Sequence, residues 1–175
     1  MTRVIRSRPL YRFVRLISLA GILVACQGAP GAPLPQLGAH LNTWVPDSAA
    51  TVLHIGYGGL GAPSRLVIRD AGTFADVWRR IHRGLFPQPP IPAVNFALEQ
   101  VVLVDIGGRP TGGYWVTIDS IGAYASGSSV FFTNASPGRS CFVTEAFTEP
   151  AHMVRAPLVL LDSVVFVERA VTREC

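Results

Sequence analysis

The stretch QVVLVDIGGRPTGGYWVTIDS, residues 100–120, decides the fold. Gln100–Ile106 is a nearly continuous apolar run, the pattern of a buried strand. Tyr114–Ser120 instead alternates. Tyr114, Val116 and Ile118 share one face, with Trp115, Thr117 and Asp119 on the other. Between them Pro110 fixes φ, while Gly112 and Gly113 permit positive φ. The local chemistry therefore predicts a turn, with 100–106 and 114–120 paired as a hairpin. Tyr114 would anchor the core and Trp115 would cover an edge. The same turn suits recognition, because aromatics beside an exposed glycine loop supply contact area at low entropy cost. Its candidate contact residues are Arg109, Thr111, Gly112, Gly113, Tyr114 and Trp115.

Strand patterns flank this centre. Thr51–Ile55 and Arg65–Arg69 read as strands, joined by GYGGLGAPS as a hairpin loop. Ser129–Thr133, Cys141–Phe147 and Val164–Val171 are further strand candidates. One segment is helical. In 73–85 (TFADVWRRIHRGL), Phe74, Val77, Trp78, Ile81 and Leu85 form a single apolar stripe. Thr73 is placed to cap it, with Asp76 in capping-box position. Arg79, Arg80 and Arg83 fall on the solvated face. The expectation is a mainly β or α+β fold: a small sandwich- or barrel-like β-sheet domain with one principal amphipathic helix.

The 15 basic residues are all arginine, and five of them (Arg3, Arg6, Arg8, Arg12, Arg15) precede residue 16. An apolar run follows from Leu16 to Ala25, too short to span a bilayer, which takes roughly 20 residues. A basic start, apolar stretch and small-residue junction are the parts of an export signal. Without residues 1–25, ten arginines face 11 acids, a net charge near −1. The printed +4 describes the precursor and does not point to nucleic acid. Leu23-Val24-Ala25-Cys26 resembles the bacterial lipobox, which implies lipidation of Cys26, anchoring in the cell envelope and a periplasm-facing or surface location. Residues 26–46 then form the lipidated N-terminus and a Pro/Gly/Ala-rich tether, able to dock only near Leu41 and Trp44. The folded domain is expected over 47–175. Cys141 and Cys175 remain, as a disulfide or as free thiols.

No catalytic or metal motif emerges. GxSxG, CxxC and HExxH are missing from the sequence, and His40, His54, His82 and His152 are scattered, His152 in a loop after Pro150. Cys141 with His152 is a nominal nucleophile pair. Asp105 and Asp119, facing each other across the hairpin, are a nominal acid pair. Gly56, Gly58 and Gly61 have GxGxxG spacing, but Pro63 and a strand follow where a dinucleotide site needs a helix. The expectation is no enzyme, no cofactor, no metal and no nucleotide.

The order TFADVWRRIH, PPIPAVNF, QVVLVDIGGRPTGGYWVTIDSI and VTEAFTEPAHMVRAP, roughly residues 73–168, resembles the C-terminal domain family of the protease-complex subunit PrcB. The Gly-x-Arg-Pro-Thr-Gly-Gly-Tyr motif at 107–114 is its most specific part. Asn95 departs from the acid expected before Phe96, and residues 47–70 fall outside the likeness. The resemblance implies a lipoprotein that assists the assembly or stability of a secreted or surface protease, binding a protein and contributing no catalytic residue. Arg-Pro-Thr-Gly-Gly-Tyr-Trp is also similar to a loop of chagasin-type cysteine-protease inhibitors. Pro110, Thr111, Gly113 and Tyr114 match, while Arg109, Gly112 and the position of Trp115 depart. That likeness implies an inhibitor; a structural envelope lipoprotein is the third reading.

Overall fold

A computed structural model describes residues 40–57, 59–157 and 163–175. Among these lie eight strands and one helix: β1 (His40–Trp44), β2 (Thr51–Ile55), β3 (Ser64–Ile68), α1 (Ala71–Ile81), β4 (Glu99–Asp105), β5 (Trp115–Tyr124), β6 (Gly127–Pro137), β7 (Ala151–Pro157) and β8 (Val164–Arg173). Two four-stranded sheets result, ordered β1-β5-β6-β8 and β2-β7-β4-β3. The fold is thus the small β sandwich with one helix that the patterning predicts. The far end of the expected tether pairs with the first sheet as β1. Cys26 and the expected export signal lie outside the described residues. No helix among the described residues is long and apolar enough to cross a membrane.

The centre of β4, Val101–Val104, is apolar because both faces of the strand are buried there. Val102 and Val104 face the first sheet, meeting Val116, Ile118, Ile121, Val130 and Phe132. Val101 and Leu103 face the other way, into a second core with Phe74, Val77, Trp78 and Ile81 of α1. The layers therefore run sheet, sheet, helix. Asp70, not Thr73, caps α1. Its carboxylate accepts from the Thr73 amide at 2.8 Å and from the Thr73 hydroxyl at 2.8 Å, which lowers the Asp70 pKa. Asp76 pairs with Arg79 rather than closing a capping box. The helix stops at Ile81, so Leu85 falls past it and is exposed. Gly84 has φ 103°, a conformation that ends the turn there.

Two pairings and one element differ from the local reading. β4 and β5 do not form a hairpin; they lie in different sheets, and 107–113 crosses between them. β2 and β3 are opposite edges of one sheet with β7 and β4 between them, so the glycine-rich 56–63 connection bridges the sheet end. The segment 141–147 is not a strand. The hairpin in this half of the chain is β5–β6, closed at Tyr124↔Gly127. A bulge between Ile118 and Ser120 shifts the alternation, so that Ile121 as well as Ile118 faces the core.

β8 runs parallel to β6, from Ser128↔Val164 to Pro137↔Arg173. Parallel neighbours need a crossover, and β7 in the other sheet supplies part of it. The far end of β8 is fastened twice. Gly138 donates to the Arg173 carbonyl at 2.8 Å, and Cys141 is disulfide-bonded to Cys175 with the Cα atoms 5.3 Å apart. The bridge spans 34 positions, so replacing both cysteines by serine should lower stability by about 2–4 kcal/mol. Urea unfolding of the oxidised wild type beside the double variant measures this. Equal midpoints would show that the hydrogen-bonded register holds β8 without the bridge.

Candidate functional site

The glycines of 107–113 mark places where another segment comes too close for a side chain. Gly107 has φ 74°, and a Cβ there would lie 2.7 Å from Pro63. A Cβ on Gly108 would enter the Phe147 ring, and one on Gly112 would meet the Thr144 hydroxyl. Gly113 has φ 83° and sits under Val143 and Pro137. The segment 142–149 therefore lies directly on the loop, and the backbones bond. Arg109 donates to the Thr148 carbonyl at 2.7 Å and accepts from its amide at 2.9 Å. Gly112 donates to the Thr144 carbonyl at 2.9 Å. The Thr148 hydroxyl donates to the Thr111 carbonyl at 2.8 Å.

The predicted contact residues consequently divide. The amides of Arg109 and Gly112 are taken, and Gly112 is buried. Tyr114 is half-buried against the inter-sheet core, with the Arg109 guanidinium 5.5 Å from its ring centre. Thr111 is half-buried, with its hydroxyl turned to the Gly112 carbonyl. Gly113 and Trp115 are exposed. Beside them the clamping segment presents Phe142, fully exposed, and Phe147, 64% exposed.

Two carboxylates hold the neighbouring connection. Asp105 accepts from the Leu60 amide at 2.7 Å and the Gly107 amide at 2.6 Å. Glu149 accepts from the Gly59 amide at 2.9 Å. Burial pushes the Asp105 pKa up, the two amides pull it down, and Glu149 adds a push upward. The amides at Gly59 and Leu60, where a GxGxxG reading would seek a phosphate, are thus committed to the protein's own carboxylates; Gly58 lies outside the described residues. Asp119 accepts from Thr133 within the first sheet, whereas Asp105 belongs to the second, so Asp105 and Asp119 do not form a facing pair. Cys141 is disulfide-bonded and offers no thiol to His152.

His152 is not in a loop. It lies in β7, buried, directly opposite His54 of β2. Their rings stack with centres 4.1 Å apart, and Trp115 lies 3.9 Å beyond His54. On the side away from β6, β5 has a strand neighbour only from Ile121 onward. The two imidazoles serve the remainder. His54 Nε2 donates to the Val116 carbonyl at 2.7 Å, and His152 Nδ1 accepts from the Ile118 amide at 2.8 Å. They stitch one sheet to the other. Because Nδ1 of His152 accepts, its proton sits on Nε2, which leaves that nitrogen no lone pair for a metal. No group of three or more His, Cys, Asp or Glu among the described residues could hold one. His82 is buried at the helix end, its Nδ1 bonded to the Trp78 carbonyl at 2.8 Å.

Burial, reinforced by His54, lowers the His152 pKa from 6.5 to about 4. The unfolded chain therefore binds more protons than the folded one between about pH 6.5 and pH 4, and stability falls as the pH drops through that window. Burial lowers the His54 pKa as well, opposed by its Val116 bond, and acts in the same direction. Unfolding free energies from urea titrations should decline from pH 7 to pH 4.5, with His152 alone contributing a slope that approaches about 1.4 kcal/mol per pH unit. In His152→Leu the profile should flatten while stability at pH 7 drops by about 1–3 kcal/mol, since the Ile118 amide loses its acceptor. An unchanged slope in that variant would assign the pH dependence to other groups. Gly113→Ala should cost more than Gly108→Ala: Gly113 needs positive φ between two side chains, whereas exposed Phe147 can swing off residue 108. Thermal unfolding of the two variants orders them.

Comparison with known proteins gives one result. No curated protein and no solved structure matches the chain. A family model described as PrcB C-terminal matches residues 100–157. That span is narrower than the 73–168 resemblance and leaves out α1 and β8. It contains the 107–114 motif and the segment clamped onto it, so β4 through β7 are the part of the chain that is similar to the PrcB C-terminal domain.

Proposed function

We propose that the chain is an exported, lipid-anchored, protein-binding subunit that assists a secreted or surface protease and performs no catalysis itself. The match to the PrcB C-terminal family over 100–157 carries this reading. The residues before Cys26 have the order of an export signal, and Cys26 ends a lipobox-like sequence, which supports anchoring in the cell envelope. The contact surface is the loop end of the sandwich. Trp115, Gly113, Phe142 and Phe147 are exposed there on a backbone pinned by Thr144 and Thr148. A partner meeting this surface loses little loop entropy on binding. An inhibitor that plugs a cleft needs a loop standing clear of its own domain. Here Gly112 is buried and bonded to Thr144, which favours the accessory reading over the inhibitory one.

The test is a pull-down from the native envelope with the full chain as bait, wild type beside Trp115→Ala/Phe147→Ala. Phe147 is largely exposed, whereas Trp115 is 37% exposed and rests on His54, so the thermal midpoint of the variant is measured beside its binding and should fall far less than its recovery of the partner. Wild type should recover a protease whose activity or stability rises with bait, and the variant should recover several-fold less. Equal recovery by the two baits, or a variant that loses stability as much as binding, would remove this surface from the function. A recovered protease that is slowed by the bait would make the chain an inhibitor.

A further inference from the structure

The sandwich is open where 107–114 crosses it. Asn134 and Ser136 of β6 lie in register beside Ala170 and Thr172 of β8. Arg109 and Tyr114 face them across a depression of about 210 Å3. Arg109 is held in place on three sides: its backbone by both Thr148 bonds, its guanidinium by the Tyr114 ring. A guanidinium stacked on a ring keeps its in-plane N–H groups for another partner. The Arg109 Nε is buried and meets no acceptor among the described residues, and no described carboxylate lies within ion-pair reach of this side chain. Glu168, in the same row of β8, is already engaged by Arg65 at 2.8 Å and by the Asn134 amide at 2.8 Å. The Ser136 hydroxyl turns to the Val171 carbonyl.

We propose that this depression binds a carboxylate of a protein partner, either its C-terminus or an acidic side chain. A half-buried guanidinium that lines the depression and has no carboxylate partner favours an oxyanion there. The planar fork of one arginine matches a planar monoanion. No second cation lines the depression to neutralise a phosphate dianion. Thr172 and the remaining Asn134 amide proton stand in the row opposite as further donors. The inference rests on the protein-binding reading only for the origin of the carboxylate; the site itself follows from Arg109 and its surroundings.

The test reads the Arg109 Nε–H resonance in the 15N-labelled full chain during titration. The probes are an acetylated Gly-Ala-Ala peptide with a free C-terminus, acetyl-Gly-Glu-Gly-amide, acetyl-Gly-Gln-Gly-amide and inorganic phosphate. At least one of the first two should shift the resonance saturably, and the tighter of them assigns the source. The glutamine peptide and phosphate should leave it in place. Arg109→Lys, which keeps the charge but loses the fork, should weaken carboxylate binding about tenfold. That arm is followed on the Tyr114 and Thr172 backbone amides. Thr172→Val should weaken binding without altering the fold. No shift with either carboxylate, an equal shift with the neutral peptide or phosphate, or undiminished binding by Arg109→Lys would overturn the proposal. A saturable carboxylate shift beside a failed protease pull-down would leave this site standing and remove the protease. The reverse result would remove only this site.

Discussion

β4 offers no face to water, and the architecture follows from that constraint. Val101 and Leu103 must be covered on one side and Val102 and Val104 on the other. A single antiparallel sheet cannot do both. The chain meets the demand with a second sheet across one face and α1 across the other, and apolar burial at about 25 cal/mol per Å2 drives both contacts. Once β4 is central, β5 cannot pair beside it as a simple hairpin, because β5 carries its own inward row of Val116, Ile118 and Ile121 toward the same core. The connection must climb from one sheet to the other. The glycine-rich 107–113 segment is that climb.

Joining two sheets leaves polar backbone at their seam. β1 covers β5 only from Ile121 onward, so the Val116 carbonyl and Ile118 amide need other partners. A third strand would close the sandwich; instead His54 and His152 reach across from the other sheet. The arrangement makes an inter-sheet contact depend on the protonation of a buried imidazole. It also seats Trp115 on His54 rather than in the core, leaving the indole at the surface beside the loop.

Periodicity made parts of this fold readable. The unbroken run at 100–106, the α1 stripe and the alternation at 114–118 are local patterns, and each became the element it suggested. Pairing was not local. Pro110 with Gly112-Gly113 satisfies the chemistry of a hairpin turn, yet nothing within ten residues states that β4 is already flanked by β3 and β7. Cys-Phe-Val-Thr at 141–144 has strand composition, but its backbone serves the loop and Phe142 points to solvent. His152 follows Pro150 and carries a polar ring, which hides a central strand. Its role depends on register with His54, 98 positions away, and that register is set by burial of the rows on either side. The candidate contact residues of the loop were named from residue type alone. Their division into clamped and exposed was not, because Thr144 and Thr148 decide it from outside the motif.

The glycines sit against aromatics for one reason at several places: the segment 142–149 packs onto the loop with no room for a Cβ. Flexible residues thereby build a rigid unit. Freedom that glycine would otherwise keep is removed by the Thr144 and Thr148 bonds, and the space saved lets Phe147 lie over Gly108. Clamp and loop therefore form one body, and the family-matched segment 100–157 contains both halves of it. Held this way, Trp115 and the two phenylalanines stand out from a backbone that the chain's own contacts fix, as the proposed contact surface requires. The permissive residues supply close approach, the threonines remove motion, and the shape of the loop end is set by the chain's own contacts.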